Sequence, residues 1–111
     1  VAGTLIGFNA AGSFTDVELA LEATRLVAEL LATKPQGVKL EILSVVRPVA
    51  GRELPENMDR FIASKARALL IAQGVKPDMM QIRTGGNAAV VAEIDPASWR
   101  KSHYVGFRLA Y

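Results

Sequence analysis

Cysteine is absent from this 111-residue chain, and histidine occurs once, at His103. The first absence excludes a disulfide scaffold and any thiolate metal site; the second excludes a multi-histidine one. Carboxylates remain as metal ligands but form no cluster in the sequence, so no metal and no cofactor are expected. An excess of one charge is lacking too: 13 Lys and Arg against 11 Asp and Glu leave a formal net charge of +2. Without a clustered basic face, no nucleic-acid partner is expected. No apolar run approaches the roughly eighteen residues that cross a bilayer, so no transmembrane segment is expected in the chain. Val1 stands where a Met would open a full-length product. That reads as a fragment, with any signal peptide or anchor lying before it.

Hydrophobic patterning is what the chain does have. Half of its residues are hydrophobic, enough for a single domain over 1–111 that buries roughly two-thirds of its unfolded surface. Thr15 to about Thr33 is predicted to be a helix. Thr15 and Glu18 have the spacing of a capping box, and Phe14 and Leu19 that of a hydrophobic staple. Leu19, Ala23, Leu26, Val27, Leu30 and Leu31 recur at three- and four-residue spacing as its apolar stripe. Pro35 and Gly37 close it, Gly37 as a left-handed stop.

Thr4 to Asn9 precedes this helix as a short strand. Val38 to Val46 follows it, with Val38, Leu40 and Ile42 on one face and Lys39 and Glu41 on the other. Its second half is apolar on both faces, as in a central strand covered on one side and partly on the other. Arg47 to Leu54 is a loop, and Pro55 fits the first turn of a second helix. The second stripe is Met58, Phe61, Ile62, Ala66, Leu69 and Leu70, ended by Gly74. Met79 to Thr84 is a third strand and His103 to Tyr111 a last one, with Val105, Phe107 and Leu109 on one face. Ala88 to Ile94 fits a short helix or a strand. Gln36-Gly37-Val38-Lys39 recurs as Gln73-Gly74-Val75-Lys76, either a duplicated helix–strand unit or two similar helix stops. The element order predicts two helices on one face of a four-stranded sheet, with strands joined by a helical crossover running parallel.

No nucleophile–base–acid set is visible. Ser13, Ser44, Ser64, Ser98 and Ser102 lie in no strand–turn–helix elbow. His103 reads as a surface or strand-edge residue rather than a catalytic base, because nothing in the sequence orients its ring. Gly85-Gly86-Asn87 lacks the lysine of a phosphate loop and reads as a turn. Trp99 and Tyr104 beside Arg100 and Lys101 fit a small contact patch or the cover of a sheet edge. Arg47, Arg52 and Arg60 are the candidate ligand-binding residues. They fall between the second strand and the first turn of the second helix, where free backbone N–H groups also attract anions. Pairing with Glu53, Glu56 and Asp59 is the alternative.

Several stretches together resemble the OmpA-like domain, the peptidoglycan-associating module of bacterial cell-envelope proteins. Ile6-Gly7-Phe8, the capped helix ending in Ala32-Thr33-Lys34-Pro35, and Val38-Lys39-Leu40-Glu41-Ile42 look like that family's opening strand, helix and second strand. Asn57, Ala66, Leu70, Gln73-Gly74-Val75 and Gly85-Gly86 continue the pattern. The resemblance implies an α+β two-layer sandwich, a mixed four-stranded sheet with two main helices on one face in the order β-α-β-α-β-β. It adds Asn57 to the candidate ligand residues and implies a periplasmic or outer-membrane-associated location.

The family's ligand motifs are replaced. Where the family has an acid in a Thr-Asp-x-x-Gly turn, this chain has Val46-Arg47-Pro48-Val49-Ala50-Gly51, and the motif arginine of the second helix falls on Ile62. The family uses those two charges on the diaminopimelate of the peptide stem, and removing both partners should abolish that contact. The implied function is therefore a non-catalytic scaffolding module in an envelope assembly of secretion, pilus or motor type. Its partners are other envelope proteins, and it touches peptidoglycan weakly or not at all. The alternatives are a peptidoglycan anchor with a changed, Arg-rich site, and a small cytosolic enzyme or binding domain of an unrelated family.

Overall fold

A computed structural model describes residues 5–9, 11–34, 37–46, 57–84, 90–91 and 103–110. The elements are β1 (Ile6–Phe8), α1 (Val17–Ala32), β2 (Lys39–Val45), α2 (Met58–Ala72), a single 3-10 turn (Pro77–Met79), β3 (Met80–Arg83) and β4 (His103–Ala110). The sheet order is β1-β4-β2-β3. β4 pairs antiparallel with β1, Ile6 facing Val105, and antiparallel with β2, Ile42 facing Phe107. β2 and β3, joined through α2, are parallel, as a helical crossover requires.

Alternation along the strands assigns one sheet face to the helices. Ile6, Phe8, Leu40, Ile42, Val105 and Phe107 join Ala20, Ala23, Val27 and Leu31 of α1 and Met58, Ile62, Ala63, Ala66 and Leu70 of α2 in one core. The opposite face carries a smaller cluster in which Val90 covers Leu43 and Val45. Gly106 makes that cover possible: a Cβ there would lie 2.9 Å from Val90 Cγ2. β2 is thus covered fully on one side and partly on the other, as its sequence predicts.

Both helices form close to the predicted ranges, but their buried stripes are rotated. Leu19 and Leu26 are 65% and 42% exposed, whereas Ala20 and Thr24 are 1% and 0% exposed. In α2, Phe61 is 47% exposed and Ala63 is buried. Small residues let the helix axes approach the sheet, and the larger leucines are displaced to the flanks. Thr24 satisfies its buried hydroxyl locally by donating to Ala20 O and Leu21 O at 3.0 Å each, and it accepts from Nε2 of Gln73, the C-cap of α2.

The predicted capping box is also displaced. The N-cap is Asp16, whose Oδ1 accepts from Leu19 N at 3.1 Å. Thr15 is committed elsewhere: its N and its Oγ1 both donate to Gly7 O at 3.1 Å, holding the helix entry against β1. Phe14 packs on Phe8 with ring centroids 4.9 Å apart, so no staple forms with the exposed Leu19. At the other helix, Gly74 has φ +96°, Gly74 N donates to Ile71 O and Val75 N to Leu70 O, both at 3.0 Å. That is a Schellman stop. Gly37 has a similar φ of +95° but lies beyond the cap Thr33, in the turn entering β2, so it does not end α1. The two Gln-Gly-Val-Lys stretches therefore serve different local structures. Pro55, Gly85 to Asn87 and most of Ala88 to Ile94 lie outside the described residues.

Removing the real cap should separate the two assignments. Asp16→Ala is expected to destabilise the domain by about 1 kcal/mol, while Glu18→Ala changes stability by under about 0.5 kcal/mol. Urea titration followed by circular dichroism measures both.

Candidate functional site

The candidate residues meet the described structure where the loop between β1 and α1 packs on the first turns of α2. Asn9 shapes the loop, its Oδ1 accepting from Ala11 N at 2.9 Å and Ser13 N at 3.1 Å. Gly12 then turns with φ +82°, and a Cβ there would lie 2.7 Å from the Phe61 ring. Only glycine combines that backbone with that approach. Lys65 ties loop to helix: its Nζ donates to Gly12 O at 2.8 Å and sits 4.6 Å from the centroid of the Phe61 ring. The cation is thus satisfied by a carbonyl and an aromatic face.

Asn57 is the N-cap of α2 in the left-handed conformation, φ 60°, with no side-chain cap hydrogen bond. Its carbonyl accepts from Phe61 N at 2.9 Å. Arg60 is exposed in the first turn of the helix and has no ion-pair partner among the described residues. Asp59 Oδ1 accepts from Arg60 N at 2.8 Å, placing a carboxylate at the positive end of the helix. The structure therefore brings Asn57 and Arg60 into one turn; Arg47 and Arg52 lie outside the described residues. Ile62, where the resemblance would put an arginine, is fully buried in the core. Arg67 reaches away from this corner, its Nη2 lying 3.4 Å from Pro77 O.

His103 is not the surface or edge residue expected from sequence. It lies on β4, an inner strand, faces Phe8 across the β1 ladder and is 1% exposed. Sequence cannot show that the last strand enters between two others, so it cannot show this burial. Burial lowers the His103 pKa below its ordinary 6.5. No group of three or more His, Asp or Glu that could hold a metal occurs among the described residues.

A second polar constellation lies on the outer sheet face. Glu41 on β2 is 5% exposed. Arg83 Nε of β3 lies 2.7 Å from its Oε2, and Arg108 Nη2 of β4 lies 3.0 Å from its Oε1. Sequence placed Glu41 on the polar face of its strand; the pairing register that supplies two arginines is a property of the assembled sheet. Trp99, Arg100 and Lys101 lie outside the described residues, and Tyr104 packs against the small outer cluster.

This geometry defines an α+β, two-layer domain with two helices on one face of a mixed four-stranded sheet, the OmpA-like arrangement. Solved structures of the same fold include the C-terminal domain of Helicobacter pylori MotB (residues 125–256), at TM-score 0.68 and 14% identity over 95% of this chain and 84% of that one. The periplasmic domain of the same protein, residues 90–256, matches at TM-score 0.64 and 15% identity over 100% of this chain and 72% of that one. A longer form, residues 78–256, matches at TM-score 0.61 and 13% identity over 96% and 76%. No family model and no curated protein sequence matches the chain. The likeness is one of fold.

The His103 shift sets a pH dependence with a definite sign. The unfolded ring takes a proton near pH 6.5 while the buried ring resists it, so the unfolded state binds more protons below that pH. Stability is fully present above about pH 6.5 and is lost as pH falls toward the lowered folded value. Thermal melts of the native chain should fall in Tm between about pH 7 and 5, and His103→Gln should flatten that slope.

Proposed function

We propose that this chain is a non-catalytic, OmpA-like domain of the bacterial cell envelope. It works in the periplasm as a scaffolding module of an envelope assembly of secretion, pilus or motor type, with other envelope proteins as partners. The usual recognition of the peptidoglycan stem peptide is lost. Ile62 carries this reading. At the helix position that holds a ligand-reading arginine in the resembled family, this chain has a fully buried isoleucine that belongs to the main core cluster. A guanidinium there would have to be buried without a partner. The fold likeness to the MotB periplasmic domain supports the envelope setting.

The exposure of Arg60 beside the free N–H groups of α2 favours one other reading: a peptidoglycan anchor whose site is built from Arg47, Arg52, Asn57 and Arg60. Pelleting separates the two. The domain is expected to remain in the supernatant when purified peptidoglycan is sedimented. Saturable pelleting competed by a diaminopimelate-containing peptide overturns the proposal, and loss of that pelleting in an Arg47→Ala, Arg52→Ala, Arg60→Ala variant assigns the Arg-rich site.

A further inference from the structure

The side of the helix layer turned away from the sheet is unusual for a solvent-facing surface. The exposed residues of α2 are Arg60, Phe61, Ser64, Ala68, Ile71 and Ala72, with a single charge among them, where a surface helix normally presents charged and polar groups. Phe61, Lys65, Ala68 and Ala72 recur at three- and four-residue spacing and so share one side of α2. That side borders α1. Lys65 Nζ donates to Gly12 O in the loop entering α1, and Gln73 Nε2 donates to Leu21 O at 3.2 Å and to Thr24 Oγ1. Val17 and Leu21, one turn apart, are the matching edge of α1. Val17, Leu21 and Phe61 are 55%, 44% and 47% exposed, so the cleft between the helices is apolar and open.

Charge divides across this cleft. α1 with its cap carries Asp16, Glu18, Glu22 and Glu29 against one cation, Arg25, which is already engaged by Glu22 and Glu29. α2 carries Arg60, Lys65 and Arg67 against one carboxylate, Asp59. Glu18 and Arg60 have no ion-pair partner among the described residues. One helix is therefore acidic, its neighbour basic, and apolar surface lies between them.

We propose that a second copy of this chain packs on that face, helix layer on helix layer, about a two-fold axis running along the cleft. Such an axis sets α1 of each copy over α2 of the other. Acidic helix then meets basic helix twice, and the two apolar clefts close on each other. A two-fold axis across the helices would instead stack α1 on α1, acid on acid. A partner of one charge sign would be attracted by one helix and repelled by the other, whereas a face negative on one side and positive on the other is complementary to itself. α1 has 16 residues, about 24 Å of helix. Two helices side by side, roughly 20 Å across, offer about 500 Å² per copy and about 1,000 Å² in the pair, the low end for a specific interface. The dimer is accordingly weak, with a Kd of roughly 10 to 300 µM. It goes beyond the scaffolding role, and its assay holds no peptidoglycan.

Sedimentation equilibrium of the unmodified chain from about 5 to 500 µM tests the pairing. A reversible dimer is expected, weakened about threefold or more between about 0.05 and 0.5 M salt. Leu21→Glu should weaken it by at least about tenfold, and Glu18→Arg by about three- to tenfold. Adding Arg60→Glu and Arg67→Glu to Glu18→Arg reverses both edges and should recover most of that loss, which a fault in folding would not allow. Lys39→Gln, on the sheet layer, leaves the constant unchanged. Circular dichroism melts check that each variant is folded. A monomer at every concentration, a dimer indifferent to Leu21→Glu and Glu18→Arg, or no recovery in the reversed variant overturns the proposal. So does a dimer lost in Lys39→Gln, or one whose added hydrogen-exchange protection is confined to β2, β3 and β4.

Discussion

The structure depends on one pairing constraint: β4 enters between β1 and β2 and is hydrogen-bonded to both. Without it β1 has no partner in the sheet, and the core face splits into a β2–β3 pair and a detached three-residue strand. Each β4 residue facing the helices joins side chains from opposite ends of the chain. Val105 packs in the same core as Ile6 and Val27, and Phe107 faces Ile42. Hydrophobic burial over this seam is what offsets the entropy of closing such a long loop.

Local signals in the sequence lead to the right elements, and tertiary packing decides the details. Helix periodicity is strong in both stripes, so the existence and extent of α1 and α2 are legible. Which side of the stripe faces inward is not, because hydrophobicity ranks Leu19 above Ala20 while close approach to the sheet favours the alanine. Thr15 and Asp16 are both competent caps. The choice falls to Asp16 because the Thr15 hydroxyl serves Gly7 O, a partner eight residues back in the chain that becomes adjacent once β1 is laid down. His103 is the sharper case: its burial follows from strand order, which no local pattern encodes.

The α2 corner shows the same division. Sequence places Asn57 and Arg60 at the helix start and predicts that Ile62 belongs to the apolar stripe, and the structure puts all three there. It does not reveal Lys65, whose ammonium is spent on Gly12 O and the Phe61 ring, because that contact joins residues from two elements. The corner is therefore held together by the protein's own groups, and Arg60 is left as its outward-facing cation. Glu41 is legible only as a polar strand residue; that it organises two arginines needs the register of three strands.

The late position of β4 has a consequence for biosynthesis. Until residues 103–110 have been made, the apolar faces of α1 and α2 cannot close over a finished sheet, and the growing chain stays without a stable tertiary structure. A polypeptide in that condition stays open to proteolysis and self-association, and it collapses into its final shape only once the last strand is in place.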